Sequence, residues 1–126
     1  MKKFFLISVT VALAACQSTP DEPLRATAGL QPTKGNKAFG EATFEQVGDK
    51  VRLILFAQNL PPEREVGFHI HEAGDCSSGD GMSAKGHFNP LAKPHAHFSS
   101  ANRHAGDMPA LKADANGTAK IDTTLD

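Results

Sequence analysis

The sequence predicts an all-β antiparallel domain, a sandwich or barrel carrying one long irregular loop. Three observations predict it. Short runs alternate apolar with polar residues, as half-buried strands do: Ala42 and Phe44; Val51, Leu53, Leu55 and Ala57; Ala119, Ile121, Thr123 and Leu125. Turn and breaker residues separate the runs, at Gly48-Asp49, Pro61-Pro62 and Asn116-Gly117. No stretch supports a long helix. A chain of 126 residues suffices for one modest domain and is too short for two. Without Trp or Tyr, its core must come from Phe, Leu, Ile, Val and Ala.

From the N-terminus, the first residues do not belong to that domain. Met1-Lys2-Lys3 is a positive head, and residues 4–15 form an apolar run without charge. The run is shorter than the ~20 residues a helix needs to cross a bilayer, so it reads as a signal peptide. It ends in Leu13-Ala14-Ala15-Cys16, which resembles the lipobox of bacterial lipoproteins, where the cysteine is lipidated and becomes the mature N-terminus. That resemblance implies a chain held by lipid on Cys16 at the periplasmic side of the cell envelope. Gln17 after the anchor suits outer-membrane sorting. Removing residues 1–15 takes away two lysines and leaves 11 basic against 14 acidic residues, a charge of −3 with histidine neutral. Such a charge argues against nucleic acid as a partner.

Residues 17–37, rich in Thr, Pro, Gly and charge, read as a flexible tether, with the domain proper over 38–126. Two strands then flank the Gly48-Asp49 turn, and after Pro61-Pro62 residues 66–71 resume the pattern as a third. From 72 to about 110 no period survives. Loops beyond ~15 residues are uncommon in compact domains unless functional or disordered, and this one is dense in histidine. A last strand starts at Ala119. Three or four strands close a sheet poorly and leave edges open to aggregation, so the chain reads as a fragment or a product cut short.

All six histidines fall between His69 and His104. In a strand, His69 and His71 project from one face while Phe68 and Ile70 turn into the core. His87, His95, His104 and Asp107 occupy the loop at spacings that fit no helix. Three imidazoles and a carboxylate suit a closed tetrahedral Zn²⁺ site, which would also order a loop poor in apolar residues. That leaves His69 and His71 for a second ion, copper or zinc, and one imidazole can in principle join two metals through its two nitrogens. Spacing does not say which ion goes where. His97 reads as an exposed loop histidine, and Met82 and Met108 as gap-fillers.

Three motifs carry a family resemblance: Gly67-Phe68-His69-Ile70-His71-Glu72, Gly86-His87-Phe88-Asn89-Pro90 and His104-Ala105-Gly106-Asp107. From about Gly40 onward the chain resembles copper/zinc superoxide dismutase of the bacterial periplasmic type. The resemblance implies a Greek-key β-barrel of immunoglobulin-like architecture. It implies copper on His69, His71 and His87, zinc on His87, His95, His104 and Asp107, and His87 as the bridging imidazolate. Cys76 resembles the loop half of the family's disulfide. The implied reaction turns superoxide into oxygen and hydrogen peroxide, with copper carrying the electron and zinc, which has no redox couple, fixing the loop.

Departures from the family pattern qualify that expectation. No histidine follows His104, and a second disulfide cysteine and the substrate-steering arginine have no counterpart downstream. The chain as it stands is therefore expected to show weak or no dismutase activity, since a site tolerates only about 0.5 Å of slack. The alternative function is a non-catalytic zinc- or copper-binding envelope lipoprotein. The oligomeric state is left open, a homodimer among the options.

Overall fold

The computed structural model describes residues 22–125, and within them every long element is a strand. Six strands run in chain order: β1 Arg25–Leu30, β2 Phe39–Val47, β3 Lys50–Gln58, β4 Glu65–Val66, β5 Leu111–Lys112 and β6 Ala119–Leu125. They form a four-stranded antiparallel sheet in the order β1-β2-β3-β6 and a two-stranded sheet, β4-β5. The only helix among the described residues is a single 3-10 turn, Met82–Ala84.

The alternation seen in the sequence explains the large sheet. In β3, Leu53, Leu55 and Ala57 are buried, while Arg52, Ile54 and Phe56 point outward. The inner face continues across the sheet through Ala42, Ala119 and Leu125. Leu60, Met108, Leu111 and Ala113 cover it from the other layer, with Phe68 and Ile70 packed against the same cluster. The two-residue connection Gly48-Asp49 pairs Val47 with Lys50. Gly48 supplies the positive φ of 63° that the first central position of such a turn can require.

Polar pairs crown the outer face. Arg52 makes two 2.7 Å bonds to the Asp122 carboxylate across β3 and β6. These hydrogen bonds hold the Asp122 carboxyl below its ordinary pKa. Thr27 and Thr43 approach to 3.3 Å between β1 and β2.

Two expectations need correction. The tether does not extend to residue 37, because Arg25–Leu30 pairs with β2 as an edge strand. Its small, exposed residues show no apolar signal, and the main-chain ladder, Thr27–Thr43 and Arg25–Glu45 hold it instead. The third strand is shorter than 66–71. Only Glu65–Val66 forms a ladder, and the rest continues as isolated bridges at His69 and His71. Its partner β5 follows directly on the loop and is two residues long, too short to leave a period. The two antiparallel sheets otherwise agree with the all-β sandwich or barrel that the sequence predicts.

Candidate metal centre

Three short backbone segments knit together to carry the histidines. Ile70 N–H donates to Gly106 O at 2.9 Å, Phe88 N–H to Ile70 O at 2.8 Å, and Gly106 N–H to Phe88 O at 2.8 Å. Bridges pair His69 with Asp107 and His71 with His87. Gly106 sits where the segments cross. A Cβ there would fall 2.3 Å from Ile70 O and 3.0 Å from Phe88 N, so only glycine lets the chains approach. This lattice brings residues from 69 to 107 into one cluster, which no local periodicity could do.

Asp107 is the centre of the cluster and is only 2% exposed. Its Oδ2 accepts hydrogen bonds from the backbone N–H groups of Ala96 (3.2 Å) and His104 (3.0 Å). Its Oδ1 faces three imidazole nitrogens: Nδ1 of His87 at 3.0 Å, of His95 at 2.9 Å and of His104 at 3.5 Å. The Nδ1 atoms of His87 and His104 lie 3.4 Å apart. A tetrahedron with metal–ligand bonds of 2.0–2.1 Å has edges of about 3.3 Å. Four edges of this set therefore match the spacing that one Zn²⁺ requires, and the donor set of three nitrogens and one carboxylate oxygen suits it. Burial alone would raise the Asp107 pKa. The bonds from Ala96, His95, His104 and His87 outweigh it and keep the carboxyl ionised well below its usual range.

His69 lies against His87, its ring stacked on that imidazole at 4.0 Å between centroids and 16° between planes, and meets His95 edge-on at 5.6 Å. Ligand atoms of His69, His87, His95 and Asp107 also lie within 4.8 Å of one another, so His69 borders the first set. Burial and the neighbouring His87 hold the His69 imidazole below its ordinary pKa, which favours the neutral, metal-binding form. Gly67 makes room for the ring, since a Cβ there would stand 2.8 Å from His69 Cε1. His71 meets His87 edge-on with centroids 5.3 Å apart, and its Nδ1 lies 2.7 Å from Lys85 O. A carbonyl can only accept, so Nδ1 carries the proton and Nε2 keeps a lone pair for a metal. His69 and His71 thus both border His87, and His69, His71 and His87 offer three imidazoles to a second ion.

Two groups sequence reasoning passed over hold the cluster: the Ala96 and Lys85 backbones, whose chemistry does not depend on residue type and leaves no signal in a sequence. His97 stands apart, bonded to Ser99 through Nδ1 at 2.9 Å. Met108 fills the core, but Met82, 76% exposed, fills no gap. Cys76 is exposed and unpaired among the described residues. The signal peptide and Cys16 lie outside them.

Comparison with known proteins gives the family. Residues 38–126 match the family model of copper/zinc superoxide dismutase. The chain is 42% identical over 100 residues to superoxide dismutase [Cu-Zn] 1 of Aquifex aeolicus, covering 79% of this chain and 59% of that protein. It is 37% identical over 118 residues to the superoxide dismutase [Cu-Zn] of Paramecium bursaria Chlorella virus 1, covering 93% and 60% respectively. The solved structure of the clock protein EA4 superposes with a TM-score of 0.73 at 40% identity, covering 87% of this chain and 68% of that one. The chain spans about 60% of the length of these two curated relatives.

Proposed function

This chain belongs to the copper/zinc superoxide dismutase family, and we propose that the protein it represents disproportionates superoxide to oxygen and hydrogen peroxide. The observation that carries the reading is the convergence of His87, His95 and His104 Nδ1 on Asp107 Oδ1, with the His69 and His71 rings against the same His87. In this reading His87, His95, His104 and Asp107 hold zinc, and His69, His71 and His87 hold copper. Bound copper supplies reversible one-electron transfer at neutral pH.

The protein's own groups divide the remaining work. Asp107, ionised and buried, offsets the charge of a cation and fixes the tilt of two imidazoles. His87 is positioned through Nδ1, which leaves Nε2 as the ring atom able to carry a proton and donate it to reduced dioxygen, as a general acid does. His71 is held by the Lys85 carbonyl. Among the described residues the zinc set has four ligands and the copper set three. The four-membered zinc set by itself also fits a second reading, a metal-binding protein without turnover.

Metal analysis and a superoxide assay of the purified chain test both. One zinc per chain is expected, with zinc retained in His71→Ala and lost in His87→Ala. Equal zinc loss in the two variants would remove the shared role of His87. Zinc binding without superoxide consumption in the longest natural form of the protein would favour the second reading.

The same proposal includes export and lipid attachment at Cys16, supported by Lys2-Lys3, the apolar run 4–15 and Leu13-Ala14-Ala15-Cys16. Cys76 would serve as one half of a disulfide, supported by its place in the loop of a chain that matches this family. Incorporation of labelled palmitate in the wild type but not in Cys16→Ala is expected. Labelling of both would remove Cys16 as the anchor.

A further inference from the structure

Lys85 has the backbone least suited to its side chain at the metal centre. Its φ of 65° and ψ of −154° lie in a region that is essentially reserved for glycine and costly for any residue with a Cβ. The side chain offers no compensation: it is exposed and has no hydrogen bond or ion pair among the described residues. The backbone on both sides is clamped. Lys85 N–H donates to Met82 O at 3.1 Å.

The carbonyls explain the conformation. Ala84 O accepts Ala73 N–H at 3.1 Å, Lys85 O lies 2.7 Å from His71 Nδ1, and Gly86 O accepts Glu72 N–H at 3.0 Å. Three consecutive carbonyls therefore all bond to the single segment 71–73. An extended strand turns successive carbonyls to opposite edges, so a regular backbone would point Lys85 O away from His71. The unusual torsions at 85 turn it back.

We propose that Lys85 is a positioning residue for His71. Its strained peptide delivers the carbonyl that fixes the Nδ1–H tautomer and frees Nε2, and the imidazole in turn helps hold the strain in place. The link to copper rests on the reading of His71 as a copper ligand. The strain and the tautomer do not.

The test uses the full chain, first stripped of metal. Lys85→Gly removes the Cβ conflict and should raise Tm by about 4 °C, the shift that follows from a modest net relief in a domain near this size. Lys85→Ala keeps the Cβ and should give no rise, which separates strain from any effect of the lysine charge. In a His71→Ala background Lys85 is freer to relax, so the gain from Lys85→Gly should fall to half or less. Nitrogen-15 NMR of the wild type should show His71 protonated at Nδ1. An unchanged Tm in Lys85→Gly, an equal gain in both backgrounds, or an Nε2–H tautomer would overturn the proposal. Copper titration then separates the two readings. If the metal-free results hold and His71→Ala still binds copper as tightly as the wild type, the copper assignment fails while the role of Lys85 stands.

Discussion

The four-stranded sheet and the histidine loop are held by different forces. In the sheet, Leu53 and Leu55 are fully buried and the strands share continuous ladders, so burial and main-chain bonding reinforce each other. In the loop several large apolar side chains face solvent: Met82, Phe88 and Leu91 are 76%, 45% and 71% exposed, while Phe98 and Met108 reach the core. Its order comes from hydrogen bonds between three backbone crossings and one buried carboxylate. The sheet could keep its shape without a metal, whereas the loop concentrates its stability at a single charge. A region with few buried contacts is where local opening is cheapest.

Four substitutions or titrations would break or sharpen that contrast. The largest effect is expected from Asp107→Ala, which strands two backbone donors and removes the anion facing three imidazoles. Losing one partner of a buried, paired charge costs about 3–5 kcal/mol. Hydrogen exchange should accelerate across 86–108 with little change in β2 and β3, and zinc stoichiometry should fall to zero. Equal acceleration in sheet and loop would show one cooperative unit instead.

Leu55→Ala should do the reverse, costing roughly 2–5 kcal/mol as a buried leucine deletion does. Its effect should spread through β2, β3 and β6, read as a lowered denaturation midpoint with zinc still bound.

Acid comes next. The Asp107 carboxyl titrates below its ordinary value in the folded chain, so its contribution is fully present above the unfolded pKa of about 3.9. It is lost as pH falls below that value toward the folded one. His69 is also depressed, so the fold favours its neutral form, and that contribution declines as pH drops below about 6.5. For the metal-free chain, exchange in the loop should rise in two steps, a small one below about pH 6.5 and a larger one below about pH 4. A sheet that opens at the same pH would remove the distinction.

The smallest effect is expected from Arg52→Ala. Arg52 and Asp122 are both exposed on the outer face, where water and salt screen the pair. Little or no change in Tm is expected, and a large one would mean that polar pairs stabilise the sheet as much as they do the loop.

Much of this was legible in the residues. Period-two alternation located β2, β3 and β6, because one buried face must repeat every second position. The histidine density and Asp107 marked a metal centre, and the three motifs carried the family. Strand β1 left no signal, since an edge strand held by its main chain needs no apolar pattern. The two-residue strands β4 and β5 are too short to show a period at all.

By itself the sequence determined which side chains could meet a metal and which strand faces would be buried, since both depend on residue chemistry and spacing. Only the tertiary structure decided that Asp107 lies at the centre, that Gly106 is the crossing point and that the Lys85 carbonyl turns toward His71. These are consequences of backbone groups meeting across 11 to 36 residues of chain, or folding back against a local trend, and peptide groups are the same at every position. Residue types therefore do not announce them.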